Sequence, residues 1–337
     1  MKRISKVLKQ GLIITCMVVL SVGLIELILM ALRINPDSPF DIIRLNVSGE
    51  LLGQYDEQLF WRLRDVRPEF TPGAKTIMCL TDSVSVMYQG AGYPNLLAEY
   101  LTEAFPGAGI EVFNGGVPGY TTFQGLKYFT QELLAYRPDL VVLCFGWNDH
   151  WQSNNGLPDK LQKSGGLSFL ARLDFLRSVR LIYSMILKKG QTQYRKTEGK
   201  TLRVGLDDYR LNLQSFADIC RQNNIRLLMM TAPFYVLPEG LLQLHESYND
   251  IVRDIARKGN LPLLDPIKEF SGKRELFLEP EEDPVHYNWE GSKIIARALA
   301  VEIPGLLGIR PVGAGLPPTE IAREKNMSNG MPAALSQ

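Results

Sequence analysis

The chain has 337 residues, 45% of them hydrophobic, with 37 basic residues against 36 acidic ones. This length and composition are typical of one large globular domain with appendages, or of two modest domains. The balanced charge argues against a general nucleic-acid binder, which would carry a strong basic excess. The four cysteines form no CxxC pair and there are three histidines. We therefore expect neither a zinc motif nor any other cofactor.

An apolar run occupies residues 11–32 and is long enough for a helix to cross a bilayer. Its single charge is Glu26, and four basic residues precede it: Lys2, Arg3, Lys6 and Lys9. The positive-inside rule places the N-terminus in the cytoplasm and the remainder outside. We interpret residues 1–32 as a cytoplasmic stub and an uncleaved signal anchor; a cleaved signal peptide and a buried soluble helix are the alternatives. Glu26 indicates either a helix partner in the membrane or a position near the interface.

A mixed, proline-punctuated segment, residues 33–72, follows the anchor, and its aromatic residues favour packing on the main domain. From residue 73 to about 310, apolar strands alternate with amphipathic helices. The five predicted strands are KTIMCL, IEVFNGG, PDLVVLCFG, IRLLMMTAP and LPLLD. Strands that are apolar on both faces predict a parallel sheet covered by helices on both sides, and so a doubly wound α/β domain of three layers.

Residues 151–206 interrupt this alternation with a loop-like stretch and a basic, amphipathic helical stretch. An insertion of this length is typical of a lid or a binding loop; a membrane-surface contact and simple packing on the core are the alternatives. Residues 311–337 are rich in Gly, Pro, Ala and Ser, and the composition predicts a disordered tail.

Polar residues follow the predicted strands, at the sheet edge where open α/β folds bind ligands. They are Thr81, Asp82 and Ser83; the stretch NGGVPGYT; the stretch GWNDH; and, before the final helix, Asp283 and His286. A hydroxyl, an imidazole, a carboxylate, a carboxamide and glycine amides are what acyl transfer requires. The chain contains neither a Gly-x-Ser-x-Gly elbow nor a P-loop, which argues against the usual α/β-hydrolase and against a nucleotide triphosphatase.

The spacing of Asp283 and His286 suggests a helical turn, in which residues i and i+3 lie on one side. One ring nitrogen of the imidazole would then meet the carboxylate while the other faces a nucleophile. Pro284 would stiffen this turn. Asn288 is a favourable N-cap for the final helix.

The sequence resembles the SGNH/GDSL hydrolase superfamily, membrane-anchored bacterial type, through TDSVS, NGGVPGY, GWND and DPVH, taken in that order over residues 55–305. The resemblance implies a flavodoxin-like fold and a serine esterase or acyltransferase. It also implies roles for individual residues. The nucleophile, base and orienting acid would be Ser83, His286 and Asp283; the oxyanion hole would come from Ser83, Gly119 and Asn148; the supporting residues would be Asp82 and Asp149.

One position departs from the family pattern, because Thr81 stands where glycine is usual. Threonine suits an extended strand end but is poor at positive φ. We expect ordinary β backbone at Thr81; otherwise Ser83 would be wrongly aimed.

These features predict a membrane-anchored, extracytoplasmic serine hydrolase of small acyl esters, such as O-acetyl groups on a glycan or an envelope polymer. An O-acyltransferase acting on an extracytoplasmic polysaccharide is one alternative. A catalytically inactive glycan-binding or assembly protein is the other, with Thr81 as its signature.

Overall fold

The structure is a computed structural model that describes residues 2–36, 53–56, 58–63, 66–86, 92–153, 156–162, 173, 175–182, 201–281 and 283–310. The chain forms two compact units. One comprises Met1–Arg64 and Lys163–Glu198, and the other Asp65–Gln162 and Gly199–Gln337. The middle of the predicted insertion thus belongs to the first unit and both its ends to the second. The predicted tail lies outside the described residues.

The first unit begins with helix α1, Lys2–Ala31. Its segment Gln10–Ala31 has a mean hydropathy of 2.7 and is long and apolar enough to cross a membrane. Strands β1, Gly53–Asp56, and β2, Phe60–Leu63, pair as an antiparallel hairpin. The predicted linker therefore contains a hairpin that the sequence pattern did not indicate.

Glu26 has a partner within this first unit. Its carboxylate accepts the backbone N–H groups of Arg177, at 3.0 Å, and Ser178, at 2.7 Å. These are the first residues of a helical segment, 177–182. Glu26 thus caps this segment as an N-terminal carboxylate would. Arg177 adds a hydrogen bond from its guanidinium to the carbonyl of Ile34, 3.1 Å away.

The second unit is built around a five-stranded parallel sheet. Its strands are β3, Lys75–Thr81; β4, Ile110–Asn114; β5, Leu140–Cys144; β6, Arg226–Met230; and β7, Leu263–Leu264. Their order across the sheet is β4-β3-β5-β6-β7. The central strands β3 and β5 are buried along almost their entire length. The predicted doubly wound, flavodoxin-like arrangement is confirmed.

Helices cover both faces of this sheet. They are α2, Tyr93–Ala104; α3, Thr122–Gln131; α4, Leu206–Gln222; α5, Glu239–Gly259; α6, Ile267–Phe270; and α7, Trp289–Leu307. Helix α2 packs against α7, while α4 packs against α3 and α5. A final antiparallel pair precedes α7: β8, Phe277–Glu279, and β9, Asp283–Tyr287. This pair places its polar residues at the carboxyl edge of the sheet, near the turn that follows β3.

Replacing Glu26 by leucine tests the contact with residues 177–182. Leucine keeps the apolar run intact but removes the cap, which costs about 1 kcal/mol, or roughly a fivefold higher population of the opened segment. We expect full-length protein in nanodiscs to be cut by trypsin after Arg177 and Arg180 about fivefold faster. Thr15→Ala, which removes another polar group from the same helix, is the control. Equal cleavage rates in wild type and Glu26→Leu would contradict the assignment.

Candidate active site

Ser83 lies at the first turn after the central strand. Strand β3 ends at Thr81, and Ser83–Ser85 form a short 3₁₀ turn. The Asp82 carboxylate caps that turn by accepting the N–H of Val84 at 3.0 Å. The half-buried Ser83 is therefore held at the carboxyl edge of the sheet.

The Ser83 hydroxyl is joined to an imidazole and, through it, to a carboxylate. Ser83 Oγ lies 2.7 Å from His286 Nε2, and His286 Nδ1 lies 2.5 Å from Asp283 Oδ2. The structure thus brings together three of the predicted site residues in a continuous hydrogen-bonded line. This line can move a proton from the hydroxyl to the imidazole, which is how a serine becomes nucleophilic.

The helical turn predicted for Asp283 and His286 is wrong, because both residues belong to strand β9. The side chains still meet because Asp283 Oδ1 accepts the N–H groups of Val285, at 3.3 Å, and His286, at 3.2 Å. Such bonds from an aspartate to the backbone two and three residues ahead fold the chain locally. The irregular register of the β8–β9 pair accommodates this bend. Asn288 caps α7 as predicted, through the N–H groups of Glu290 and Gly291.

The imidazole and its carboxylate shift one another's protonation. Burial disfavours the imidazolium, but the hydrogen bond to Asp283 and the charges of Asp283 and Asp82 outweigh it and raise the pKa of His286. Burial likewise disfavours the Asp283 carboxylate, yet the His286 hydrogen bond and the backbone donors lower its pKa. The pair is therefore built to stabilise an imidazolium, the species formed when His286 takes the serine proton.

The predicted oxyanion donors lie on the loops after β3, β4 and β5. Gly119 has a φ of +80° within the turn Val117–Tyr120. Asn148 donates from Nδ2 to the carbonyl of Tyr120 at 3.1 Å, which links two of these loops. Among the described residues, the N–H groups of Ser83 and Gly119 have no hydrogen-bond partner, so both are available to an incoming oxygen.

Asp82 and Asp149 are both buried, as expected of supporting residues. Burial raises the pKa of Asp82 to about 6 and that of Asp149 to about 7. Asp149 Oδ1 accepts from the backbone and the hydroxyl of Thr122, at 2.9 and 2.5 Å. Asp149 thereby ties the loop after β5 to the first residue of α3, beside the loop that carries Gly119.

The other two histidines are paired with each other. His150 Nε2 lies 3.0 Å from His245 Nδ1, and His245 Nε2 lies 2.7 Å from the carbonyl of Ala232. The Ala232 carbonyl can only accept, so His245 Nε2 carries the proton and His245 Nδ1 accepts from His150. Burial lowers the pKa of His150 to about 4 and that of His245 to about 3. Both rings are therefore neutral, and His286 remains as the candidate base.

Thr81 adopts ordinary extended backbone as the last residue of β3, which confirms the expectation for this position. Its hydroxyl lies 2.5 Å from Ser85 Oγ. Ser85 Oγ donates to Asn114 Oδ1 at 2.8 Å, and Asn114 Nδ2 donates back to the Ser85 carbonyl at 2.8 Å. This network locks the turn that carries Ser83 to the end of β4.

The sequence analysis missed the roles of Ser85 and Asn114, although Asn114-Gly-Gly directly after a strand was a signal. A Cβ atom on Gly116 would lie 2.0 Å from Ser85 Oγ, so glycine is required there. The sequence analysis also missed an ion pair inside the predicted insertion, in which Arg203 Nη2 lies 2.9 Å from the buried Asp159 Oδ2. Within the described ranges, no group of three His, Cys, Asp or Glu side chains could hold a metal ion.

Comparison with known proteins identifies the class. The profile of the GDSL-like lipase/acylhydrolase family matches residues 79–294. An acetylxylan esterase of Geobacillus stearothermophilus is 25% identical over 222 residues, which cover 64% of this chain and 81% of that protein. An arylesterase of Vibrio mimicus is 35% identical over 91 residues, 26% of this chain and 43% of that enzyme.

Among solved structures, a lipase/acylhydrolase from Enterococcus faecalis is similar to this chain, with a TM-score of 0.46 and 19% identity. That similarity covers 71% of this chain and 100% of that one. The fold and the family match together define an ester hydrolase of the SGNH type. The chain belongs to the GDSL-like lipase/acylhydrolase family.

Thr81→Gly tests whether the departure from the family pattern harms the site. The variant loses the contact with Ser85 and gains strand flexibility, so we expect the free energy of unfolding to fall by about 1–2 kcal/mol. We expect p-nitrophenyl acetate hydrolysis to be no faster than in wild type, because Thr81 is unstrained. Thr76→Gly, at the opposite end of β3, is the matched control. A rise in kcat/KM of more than threefold for Thr81→Gly alone would show that threonine misaims Ser83.

Proposed function

We propose that the protein hydrolyses small acyl esters through an acyl-enzyme on Ser83. The observation that carries this proposal is the unbroken line of hydrogen bonds from Ser83 through His286 to Asp283, at 2.7 and 2.5 Å. In the acylation step, His286 Nε2 takes the hydroxyl proton as Ser83 Oγ bonds to the ester carbonyl carbon. The tetrahedral intermediate then expels the alcohol oxygen, which receives the proton back from His286.

The acyl-enzyme is resolved by water in the reverse manner. His286 removes a proton from water, the hydroxide oxygen bonds to the acyl carbon, and the Ser83 oxygen leaves with that proton. Asp283 accepts a hydrogen bond from the Nδ1–H of His286 throughout and stays ionised, which fixes the tautomer in which Nε2 is free to act as the base.

In both steps the carbonyl oxygen becomes an oxyanion. We assign its stabilisation to the N–H groups of Ser83 and Gly119 and to the side-chain amide of Asn148. Among the residues that the structure describes, these two backbone donors have no hydrogen-bond partner, which supports this assignment. Asn148 Nδ2 donates one proton to the Tyr120 carbonyl at 3.1 Å, and a hydrogen bond from the same side chain to Asp82 helps to lower the pKa of that carboxyl. An oxyanion would therefore take the second proton in place of Asp82. Donors of this kind are often the largest single contribution to acyl-transfer catalysis.

For the substrate we propose O-acetyl groups on a glycan or an envelope polymer. The similarity to an acetylxylan esterase supports acetyl esters of carbohydrates as the class. The apolar helix α1 supports an enzyme held at a membrane, where polymeric envelope glycans are assembled. Transfer of the acyl group to a second hydroxyl would use the same line of residues, with the acceptor replacing water.

We also propose that Gln10–Ala31 spans the cell membrane, with the N-terminus in the cytoplasm and the second unit outside. The four basic residues before the span and the absence of a basic excess after it support this orientation. A phosphatase reporter fused after Gln337, which is active only outside the cytoplasm, should be active. An inactive phosphatase together with an active cytoplasmic reporter at the same site would reverse the orientation.

Ser83→Ala tests the function. We expect full-length wild type to release p-nitrophenol from the acetyl ester and acetate from acetylated xylo-oligosaccharides, and Ser83→Ala to lose at least about 10³-fold of both activities. Wild type should be labelled by a fluorophosphonate and Ser83→Ala should not. Ser215→Ala, which removes a hydroxyl bonded to the Leu211 carbonyl of its own helix α4, should still be labelled. No Ser83-dependent hydrolysis and no labelling would reject the proposal.

Asp283→Asn tests how the pH dependence arises. The base must be neutral, so wild-type kcat/KM should rise with pH through the pKa of His286, which the hydrogen bond to Asp283 and the nearby carboxylate charges raise. Loss of the carboxylate charge removes what raises this pKa. In Asp283→Asn, the acid limb of the profile, where kcat/KM rises with pH, should therefore move to lower pH. At the same time kcat should fall by roughly 10³–10⁴-fold.

Asp265→Asn is the control for that variant. Asp265 is also a hydrogen-bonded carboxylate of lowered pKa, but its partners are Thr231 and Arg253. The acid limb of the kcat/KM profile of Asp265→Asn should match that of wild type. An acid limb for Asp283→Asn that is unmoved, or shifted to higher pH, would contradict the assignment of Asp283.

A further inference from the structure

Arg203 reaches from the end of the predicted insertion to the loop that carries Gly119. Its Nη1 donates to the carbonyl oxygen of Gly119 at 2.8 Å, and its Nη2 donates to Gln124 Oε1 at 2.7 Å. Gln124 Oε1 in turn accepts the N–H of Thr121 at 3.2 Å, as part of the capping box of α3. One guanidinium therefore holds both the Gly119 turn and the helix start that follows it.

Asp159 holds this guanidinium in place. Arg203 donates from Nε to Asp159 Oδ1 at 3.2 Å and from Nη2 to Asp159 Oδ2 at 2.9 Å. Asp159 is 1% exposed and also accepts from the Thr121 hydroxyl at 2.9 Å. A buried carboxylate is tolerated only when its charge is compensated and its oxygens are bonded, and Arg203 does both.

The contact on Gly119 bears directly on the proposed oxyanion hole. Arg203 fixes the Gly119 carbonyl, and Asn148 fixes the next carbonyl, that of Tyr120. With these two carbonyls held, the turn has little freedom to rotate about the backbone bonds of Gly119, where φ is +80°. The Gly119 N–H is left without a partner among the described residues.

We propose that Arg203, held by Asp159, is a positioning residue that orients the Gly119 N–H toward the oxyanion of the proposed ester hydrolysis. This inference rests on the proposed function of Ser83. Preorganised donors lose much of their effect when they must reorient during the reaction, which is why a residue that only holds a peptide in place matters.

Arginine suits this position better than lysine. The planar guanidinium can pair both carboxylate oxygens of Asp159 and still direct another N–H to Gly119, whereas an ammonium is a point charge. The pair also closes the base of the insertion, because the Asp159 N–H donates to the Arg203 carbonyl at 2.8 Å.

The test measures kcat, KM and the acid limb of the pH profile for Arg203→Lys and for the double variant Arg203→Met with Asp159→Asn. The double variant removes both charges, so it leaves no unpaired buried carboxylate to unfold the protein. The control is Arg210→Met. Arg210 lies on α4, and its guanidinium pairs with the Asp254 carboxylate of α5 at 2.6 Å. Rates are expressed per active site, counted by the end point of fluorophosphonate labelling.

For p-nitrophenyl acetate, we expect kcat to fall by about 10–100-fold in the double variant and by less in Arg203→Lys. This is less than the roughly 10²–10³-fold loss that follows removal of a whole oxyanion donor, because the Gly119 N–H is misoriented and not removed. KM should stay within about threefold, and the acid limb should not move, because Arg203 touches neither His286 nor Asp283. Arg210→Met should match wild type.

The inference would be overturned by a kcat per active site within twofold of wild type in both variants, or by a loss confined to KM. A shifted acid limb would also overturn it, because Arg203 would then act through the imidazole. If wild type itself shows no hydrolysis beyond Ser83→Ala, the proposed function and this inference both fall. If wild type is active and the variants are unaffected, the function stands and the role of Arg203 does not.

Discussion

The hydrogen bond between Ser83 and His286 joins segments that are 203 residues apart in the chain. The rest of the second unit serves to hold its two ends at a fixed distance. On one side, Ser83 follows a strand that is buried and paired on both edges, so its backbone cannot shift without disturbing the sheet. On the other side, Asn288 caps α7 and also donates to the carbonyls of Glu275 and Phe277, which fastens β9 to the chain before it. The imidazole thus stands on a hairpin that is fixed at its base.

Three carboxyl groups of the second unit that lie outside this line are buried, and each is accommodated differently. Asp159 is paired with Arg203, whose guanidinium donates to both carboxylate oxygens. Asp149 has hydrogen-bond donors on one oxygen, and burial raises its pKa to about 7. Asp82 also has its pKa raised by burial, to about 6, yet its charge favours the imidazolium of His286. Above that pH, Asp82 adds to the effect of Asp283 on the base; the cost of burying it is met by the packing of β3 and its neighbours.

The sequence was sufficient for those parts of the molecule that follow from periodicity. Apolar runs predicted the five strands, and polar residues after these runs indicated the candidate site, because parallel strands present their carboxyl ends at one edge. The cap at Asn288 was also predictable, since capping is a local property. The turn at Asp283 was not, because the same three-residue spacing is met either by a helical turn or by an aspartate that bonds its own backbone. Arg203 and Asp159 were out of reach for another reason: they belong to an irregular segment, where no periodicity states which side chains meet.

Thr81 shows how a change at one position is matched by its surroundings. Its hydroxyl occupies a space shared with Ser85 and Asn114, and all three approach Gly116. A Cβ atom on Gly116 would lie 2.8 Å from Thr81 Oγ1 and 2.0 Å from Ser85 Oγ. A side chain at position 81 is therefore compatible with this site because position 116 has none. Thr81 adds a hydrogen bond to Ser85, in the turn that begins with Ser83. The departure from the family pattern is accommodated by Gly116, which follows the neighbouring strand β4 and leaves room for the threonine side chain.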